Sequence, residues 1–296
     1  RDIAGALGLH PFRQAYLQVK SLFHLHVHLS PVRDVAVHIR PARGAVEEQI
    51  HFQFARRVAE DLLPHQVEGA RGVAGAEAMG DLPIHNYLVG NWPEGAENIS
   101  GQSMAEQHTV KQTFCFACPI GCGKRVDAVL KDGTAIQGEG PEYETLAGLG
   151  AMLEIDDLDT MLRANDYCNR MGIDTISASA TAAFAFEAYE NGLIQKEECD
   201  QQPLEWGNTD SLMVCLKLMV ERRGVGETLS SGSRAAAKHF QNQSDMYATH
   251  VKGLELAYHD PRATFSMAAN YATANRGGCH LEGLSYWAIY GLDASS

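Results

Sequence analysis

The chain has 296 residues, 45% of them hydrophobic, with a formal charge of −13. That length admits one large domain or two ordinary ones, and the apolar content excludes wholesale disorder. The charge is uneven, +1 over residues 1–80 and −14 over residues 81–296, and so acidic a body excludes nucleic acid, whose phosphates need a basic patch.

No run of about 18 apolar residues occurs, so no membrane-spanning helix is expected. Arg1 stands where Met would, and no charged segment leads into an apolar stretch and a cleavage site. The expectation is a cytoplasmic protein with an incomplete start.

Residues 1–80 are poorly patterned and hold 7 of the 13 histidines, with His24, His26 and His28 alternating. Val35-Ala-Val-His38 and Arg40-Pro-Ala-Arg43 alternate loosely like strands, and residues 47–63 fit a helix. From about Asp81 the text becomes orderly. Residues 82–101 read as extended loop, punctuated by Pro, Gly and Asn. Residues 126–136 read as a hairpin, with Lys131-Asp132-Gly133 as its turn.

Helices dominate beyond residue 140. Asp156 or Asp157 can cap a helix with Leu158, Met161, Leu162, Asn165 and Cys168 on one face, ending at Gly172. Residues 175–190 are Ala-, Ser- and Phe-rich on all sides, the composition of a buried helix, and Gly192 ends them. Asp210 can cap a third, with Leu212, Val214, Cys215, Leu218 and Met219 inward and Gly224 as its stop, and residues 233–240 form a shorter one.

Seven cysteines is an odd number, none precedes Cys115, and three crowd into eight residues. This is a metal-site pattern in a reducing compartment, not a disulfide framework. The three form Cys115-Phe-Ala-Cys118-Pro-Ile-Gly-Cys122, a C-x2-C-x3-C loop. Two thiols three residues apart can meet one metal from a single turn, and the third can reach another corner of a cube. Pro119 keeps the loop from becoming helix, and Gly121 and Gly123 let backbone pass close to bulky sulfides. Thiolates suit zinc as well as iron–sulfur clusters, and both want a fourth ligand. Cys168, Cys199, Cys215 and Cys279 are candidates, as is His108 in a zinc-binding structural module.

Two further motifs carry ionisable groups. Gly138-Glu-Gly-Pro-Glu142-Tyr-Glu144-Thr places carboxylates after a Gly-Pro turn, where a solvated helix start is the plain alternative. Ala274-Asn-Arg276-Gly-Gly-Cys279-His280 places a histidine after paired glycines, where a structural histidine is the alternative to a proton carrier.

In this order, the three motifs resemble those of the aldehyde ferredoxin oxidoreductase family. The resemblance runs over residues 81–290 and includes Leu82-Pro-Ile-His-Asn-Tyr87, Gly172-Ile-Asp-Thr-Ile-Ser177, Trp206-Gly-Asn-Thr209, Gly224-Val-Gly-Glu227 and Asp260-Pro-Arg262. It implies a mainly α fold of multi-helical domains, with residues 1–80 unassigned. Residues 81–248 would be a helical domain, and residues 249–296 the start of a truncated C-terminal one. Cys115, Cys118 and Cys122 match three ligands of a [4Fe–4S] cluster, the fourth lying beyond Ser296. Asn169-Arg-Met-Gly172-Ile173-Asp174 matches a pterin-binding D-x-x-G-L-D motif, with Asn169 and Ile173 departing from it. Glu144 and His280 match the carboxylate and histidine beside the metal. A mononuclear iron found in some members is not expected, because Arg163 and Met213 stand at its ligand positions. The implied activity oxidises an aldehyde to a carboxylic acid with a tungsten (or molybdenum) bis-pterin, electrons passing to ferredoxin. The other implied outcome is a fragment inactive on its own.

Overall fold

The computed structural model describes residues 72–114, 116, 122–283 and 285–286. The strands and helix expected before residue 64 lie outside them, as do Cys115 and Cys118. The described part is mainly helical, with a three-stranded sheet and a two-stranded ribbon.

Three short helices come first: α1 (Gly72–Ala78), α2 (Pro93–Asn98) and α3 (Gly101–Gln107). The expected loop over residues 82–101 is thus corrected, since α2 lies inside it. Pro93 at the first turn is already fixed near helical φ and lacks only an N–H that a helix start leaves unpaired. Before α2, His85, Asn86 and Tyr87 are all left-handed, with φ of 48°, 46° and 69°. Their turn is held by N–H groups of His85 and Asn86 donating to the carbonyls of Ala151 and Met152, both at 3.1 Å. The Asn86 amide donates to buried Glu187 at 2.5 Å and to the Tyr247 carbonyl at 2.9 Å.

Strands β1 (Thr109–Thr113), β2 (Gly123–Val129) and β3 (Ala135–Glu139) form an antiparallel sheet in that order. In β2 the buried residues alternate, Val126 and Ala128 inward against exposed Arg125, Asp127 and Val129, as a sheet with one solvated face requires. The expected hairpin is β2–β3, closed by Leu130 N–H donating to the Thr134 carbonyl at 2.8 Å with Gly133 left-handed.

The chain then enters α4 (Tyr143–Leu149), α5 (Leu158–Met171) and α6 (Thr175–Glu190). Asp157 caps α5, its carboxylate accepting the Thr160 N–H at 2.9 Å, and Gly172 closes it in the left-handed region. Asp174 caps α6 by accepting the Ser177 N–H at 2.7 Å. Helix α6 buries Ala182, Ala183, Phe184, Ala185 and Phe186 on every side, hence the absence of a polar stripe. Helix α4 packs closely on it through Gly148. A Cβ there would lie 2.2 Å from Ser179 Oγ and 2.3 Å from Tyr258 Cε2, so the approach requires glycine.

Helix α7 (Thr209–Glu221) corrects three expectations. Its cap is Asn208, not Asp210, because the Asn208 side-chain oxygen accepts the N–H groups of Asp210 and Ser211, both at 3.0 Å. It closes at left-handed Arg222, two residues before Gly224. Leu216 is buried, whereas Val214 is only half-buried. Helices α8 (Gly226–Leu229) and α9 (Ser233–Phe240) follow, then a two-stranded ribbon of β4 (His250–Val251) and β5 (Leu254–Glu255), and α10 (Phe265–Thr273).

Candidate active site

Glu144 lies in the first turn of α4, where the exposed N–H groups favour a carboxylate. The Tyr258 N–H donates to its Oε2 at 2.7 Å. Tyr258, from the loop after β5, is held in turn by Ser179 at 2.6 Å and by its own O–H donating to the Ile176 carbonyl at 2.8 Å. Thr145 and Thr175 share a hydroxyl contact at 2.9 Å, which ties the start of α4 to the start of α6. Helix packing and the Tyr258 loop together therefore fix the carboxylate.

The loop after α10 carries His280 to the other oxygen, with Nε2 3.3 Å from Glu144 Oε1. The contact is at ion-pair range but lacks hydrogen-bond alignment. Glu144 Oε1 and His280 Nδ1 are both buried without a hydrogen-bond partner. Burial raises the Glu144 carboxyl above its ordinary value, against the opposing pull of His259 and the Tyr258 N–H. Burial lowers His280 to about 4, with His259 and Arg276 adding to it, so its ring is neutral at pH 7 by about three units.

Two residues that the sequence did not single out complete the pocket. His259 Nε2 lies 3.8 Å from Glu144 Oε1, and His259 Nδ1 lies 2.6 Å from Asp81 Oδ2. The His259 ring stacks on Tyr286 at 3.8 Å and faces Tyr143 at 5.1 Å. His259 directly precedes the quoted Asp260-Pro-Arg262 phrase, and Asp81 stands at the composition change. Neither fact carries their proximity.

The four residues of the pterin-type motif are only partly gathered. Ile173 and Asp174 line a cleft of about 310 Å³ with Met171, Ser177, Arg222 and Ser230. Gly172 closes α5, and Asn169 is exposed on its last turn; neither lines the cleft. Asp174 lies close enough to Glu144 to raise its carboxyl further, so cleft and carboxylate are neighbours.

On the cysteine loop, Cys122 is exposed at the entry to β2. Two residues on, Lys124 is buried with its Nζ lacking a hydrogen-bond partner, and burial lowers its ammonium despite Glu142 and Cys122 nearby. Phe114 and Phe116, on either side of Cys115, are exposed. The other thiols behave as core. Burial pushes Cys168 and Cys199 up to about 12 and Cys215 higher still. Cys279 differs: burial alone would raise it, but Arg276 and the N–H groups of Leu281 and Glu282 outweigh that and lower it. His108 lies 3.7 Å from Asp159, and Arg163 is paired with Asp132 at 2.7 Å.

Among the described residues, Glu144 Oε1 and His280 Nδ1 each keep bonding capacity for a polar ligand, and the cleft lined by Ile173 and Asp174 has space for a bulky one. On the cluster loop, a buried cation beside the exposed Cys122 fits an anionic thiolate site.

The chain is similar to known proteins over most of its length. Residues 54–293 match the family model described as aldehyde ferredoxin oxidoreductase, domains 2 and 3. A tungsten-containing aldehyde ferredoxin oxidoreductase of Pyrococcus furiosus is 41% identical over 204 residues, covering 69% of this chain and 33% of that protein. The protein of the same name from Thermococcus kodakarensis is 39% identical, with the same coverage. An aliphatic sulfonate oxidoreductase, WOR-like subunit, of Pyrococcus furiosus is 27% identical over 72% of this chain and 35% of its own length. The chain thus spans about a third of the length of these relatives. In fold it is similar to the BamBC active-site complex of benzoyl coenzyme A reductase, solved with 1,5-dienoyl-CoA. The TM-score is 0.56 at 19% identity, over 77% of this chain and 37% of that one.

Proposed function

The chain belongs to the aldehyde ferredoxin oxidoreductase family, and from that premise we propose that the protein carrying it oxidises an aldehyde to a carboxylic acid, with ferredoxin as electron acceptor. Cys115, Cys118 and Cys122 would hold a [4Fe–4S] cluster, and Asn169, Gly172, Ile173 and Asp174 would contact a tungsten (or molybdenum) bis-pterin. When bound, the metal–pterin supplies the two-electron oxidation and the cluster relays the electrons singly. No helix of the described residues is long and apolar enough to cross a membrane, and an odd, clustered set of cysteines suits a reducing compartment such as the cytoplasm.

One observation carries the reading: a buried carboxylate and a buried neutral imidazole meet at 3.3 Å, each with an unsatisfied atom. Aldehyde plus water becomes acid plus two protons and two electrons. The cofactors would have to accept the electrons, and the protons need bases that this chain supplies. The Tyr258 N–H holds Glu144 Oε2, leaving Oε1 to take the proton from the hydrated carbonyl carbon's O–H. Neutral His280 can donate one ring N–H to a substrate oxygen and accept at the other nitrogen, which a charged ring could not. Glu144 Oε1 and His280 Nδ1 are both buried away from water, so the acid is formed where these two groups hold it.

The test is Glu144→Gln in the full-length holoenzyme prepared without oxygen. Turnover is expected to fall by about 10²–10⁴, with iron and tungsten or molybdenum content unchanged. Turnover within a few fold of the unsubstituted enzyme, or a preparation containing zinc alone, overturns the proposal.

A further inference from the structure

The pocket holds a second imidazole that this chemistry does not use. His259 is 5% exposed and Asp81 0%, so neither is a surface group. They come from segments 178 residues apart, joined by the 2.6 Å contact and by the Asp260 N–H donating to the Asp81 carbonyl at 2.8 Å. The ring lies between Tyr143 and Tyr286, nearly parallel to the latter at 12°. It therefore cannot turn without breaking both stacks.

The ring's protonation follows from its partners. A carboxylate has no hydrogen to give, so Asp81 requires the N–H on His259 Nδ1. The other nitrogen then faces Glu144 Oε1 at 3.8 Å. A neutral ring would turn a lone pair toward a carboxylate lone pair in a buried, low-dielectric space. One proton held between His259 and Glu144 removes that conflict. The ring thus lies between two carboxylates, Asp81 at one nitrogen and Glu144 at the other. Among the described residues, the other ionisable side chains against the ring are Tyr143, His280 and Tyr286, none of them a carboxylate.

We propose that His259, locked by Asp81, is a positioning residue that keeps Glu144 ionised in its buried setting. It rests on the reading of Glu144 as the base. Burial works against that base, since it favours the neutral carboxyl, and His259 is the largest influence acting the other way. Asp81 acts through His259: it fixes which nitrogen points at Glu144 and balances the ring's charge. Burial chiefly keeps His280 neutral, and the His259 ring beside it pushes the same way.

The experiment uses the full-length holoenzyme, with His259→Gln and Asp81→Asn as independent variants and Glu144→Gln beside them. Two readouts are taken: the pH profile of kcat, and the infrared band of a protonated carboxyl in the oxidised enzyme without substrate. In both variants the acid limb of kcat is expected to move up by about one pH unit or more, since an opposite charge at this range is worth that much. The carboxyl band should appear at neutral pH and vanish when Glu144→Gln is added. Should both variants keep the acid limb and show no band, the proposal is overturned. If either variant loses metal or fold, the other decides. Full turnover in Glu144→Gln would instead overturn the assignment of the base itself, so the two failures are told apart.

Discussion

Gly148→Ala tests how tightly α4, α6 and the Tyr258 loop are packed around the carboxylate. The added methyl would meet Ser179 Oγ at 2.2 Å, Tyr258 Cε2 at 2.3 Å and Tyr258 Cζ at 2.8 Å. Relaxed contacts need about 3.5 Å, so one side must move by about 1 Å. Overpacking of this kind costs about 1–3 kcal/mol. Parting Ser179 from Tyr258, now at 2.6 Å, adds roughly 1 kcal/mol. In urea unfolding of the full-length protein, the midpoint should fall by roughly 1 M. Gly75→Ala is the control, because a Cβ there meets nothing within 4 Å, and in a helix it should hold or gain stability by up to about 1 kcal/mol. Equal midpoints for the two variants would refute the close-approach argument.

The acid response and the α6 cap give two more expectations. His280 is held at about 4 against an ordinary 6.5, and burial also lowers His250. The unfolded chain therefore takes up protons as pH falls through 6.5 while the fold waits until about 4 at His280, so stability is lost on acidification over that window. Urea midpoints at about pH 7 and about pH 5 should show the loss, His280→Asn should lessen it, and an unchanged slope in that variant would exclude His280 as its source. Asp174→Ala should cost about 1 kcal/mol as a lost cap, and Asp174→Ser should restore the stability. If the carboxylate also contacts pterin, Asp174→Ser purifies with less tungsten or molybdenum, and full metal content in it would reduce Asp174 to a cap.

The legible parts of the fold were local ones. Asp157 and Gly172 bracket α5 because a cap and a left-handed stop each act within a few residues. The β2–β3 hairpin was legible from its turn. Helix α2 was not, because Pro and Gly read as loop whether or not Pro93 opens a turn of helix. Asn208 was passed over for Asp210 because both are good caps, and only the backbone decides which oxygen sees a free N–H. In the pocket, Glu144 and His280 were found through motif resemblance, not through any signal of distance. His259 and Asp81 had no such help: their contact spans 178 residues, and nothing in composition or period encodes it.

The run His85–Asn86–Tyr87 has a bearing on assembly. Each left-handed residue without glycine's freedom costs roughly 1–2 kcal/mol, so the run does not form unaided. Its N–H acceptors, the carbonyls of Ala151 and Met152, lie in the short turn that follows α4, far along the chain. The chain just upstream of this clasp is Asp81. The carboxylate behind His259 therefore sits four residues from a strained clasp that only the packed interior can hold shut, so whatever loosens residues 151–152 is felt at Asp81 as well.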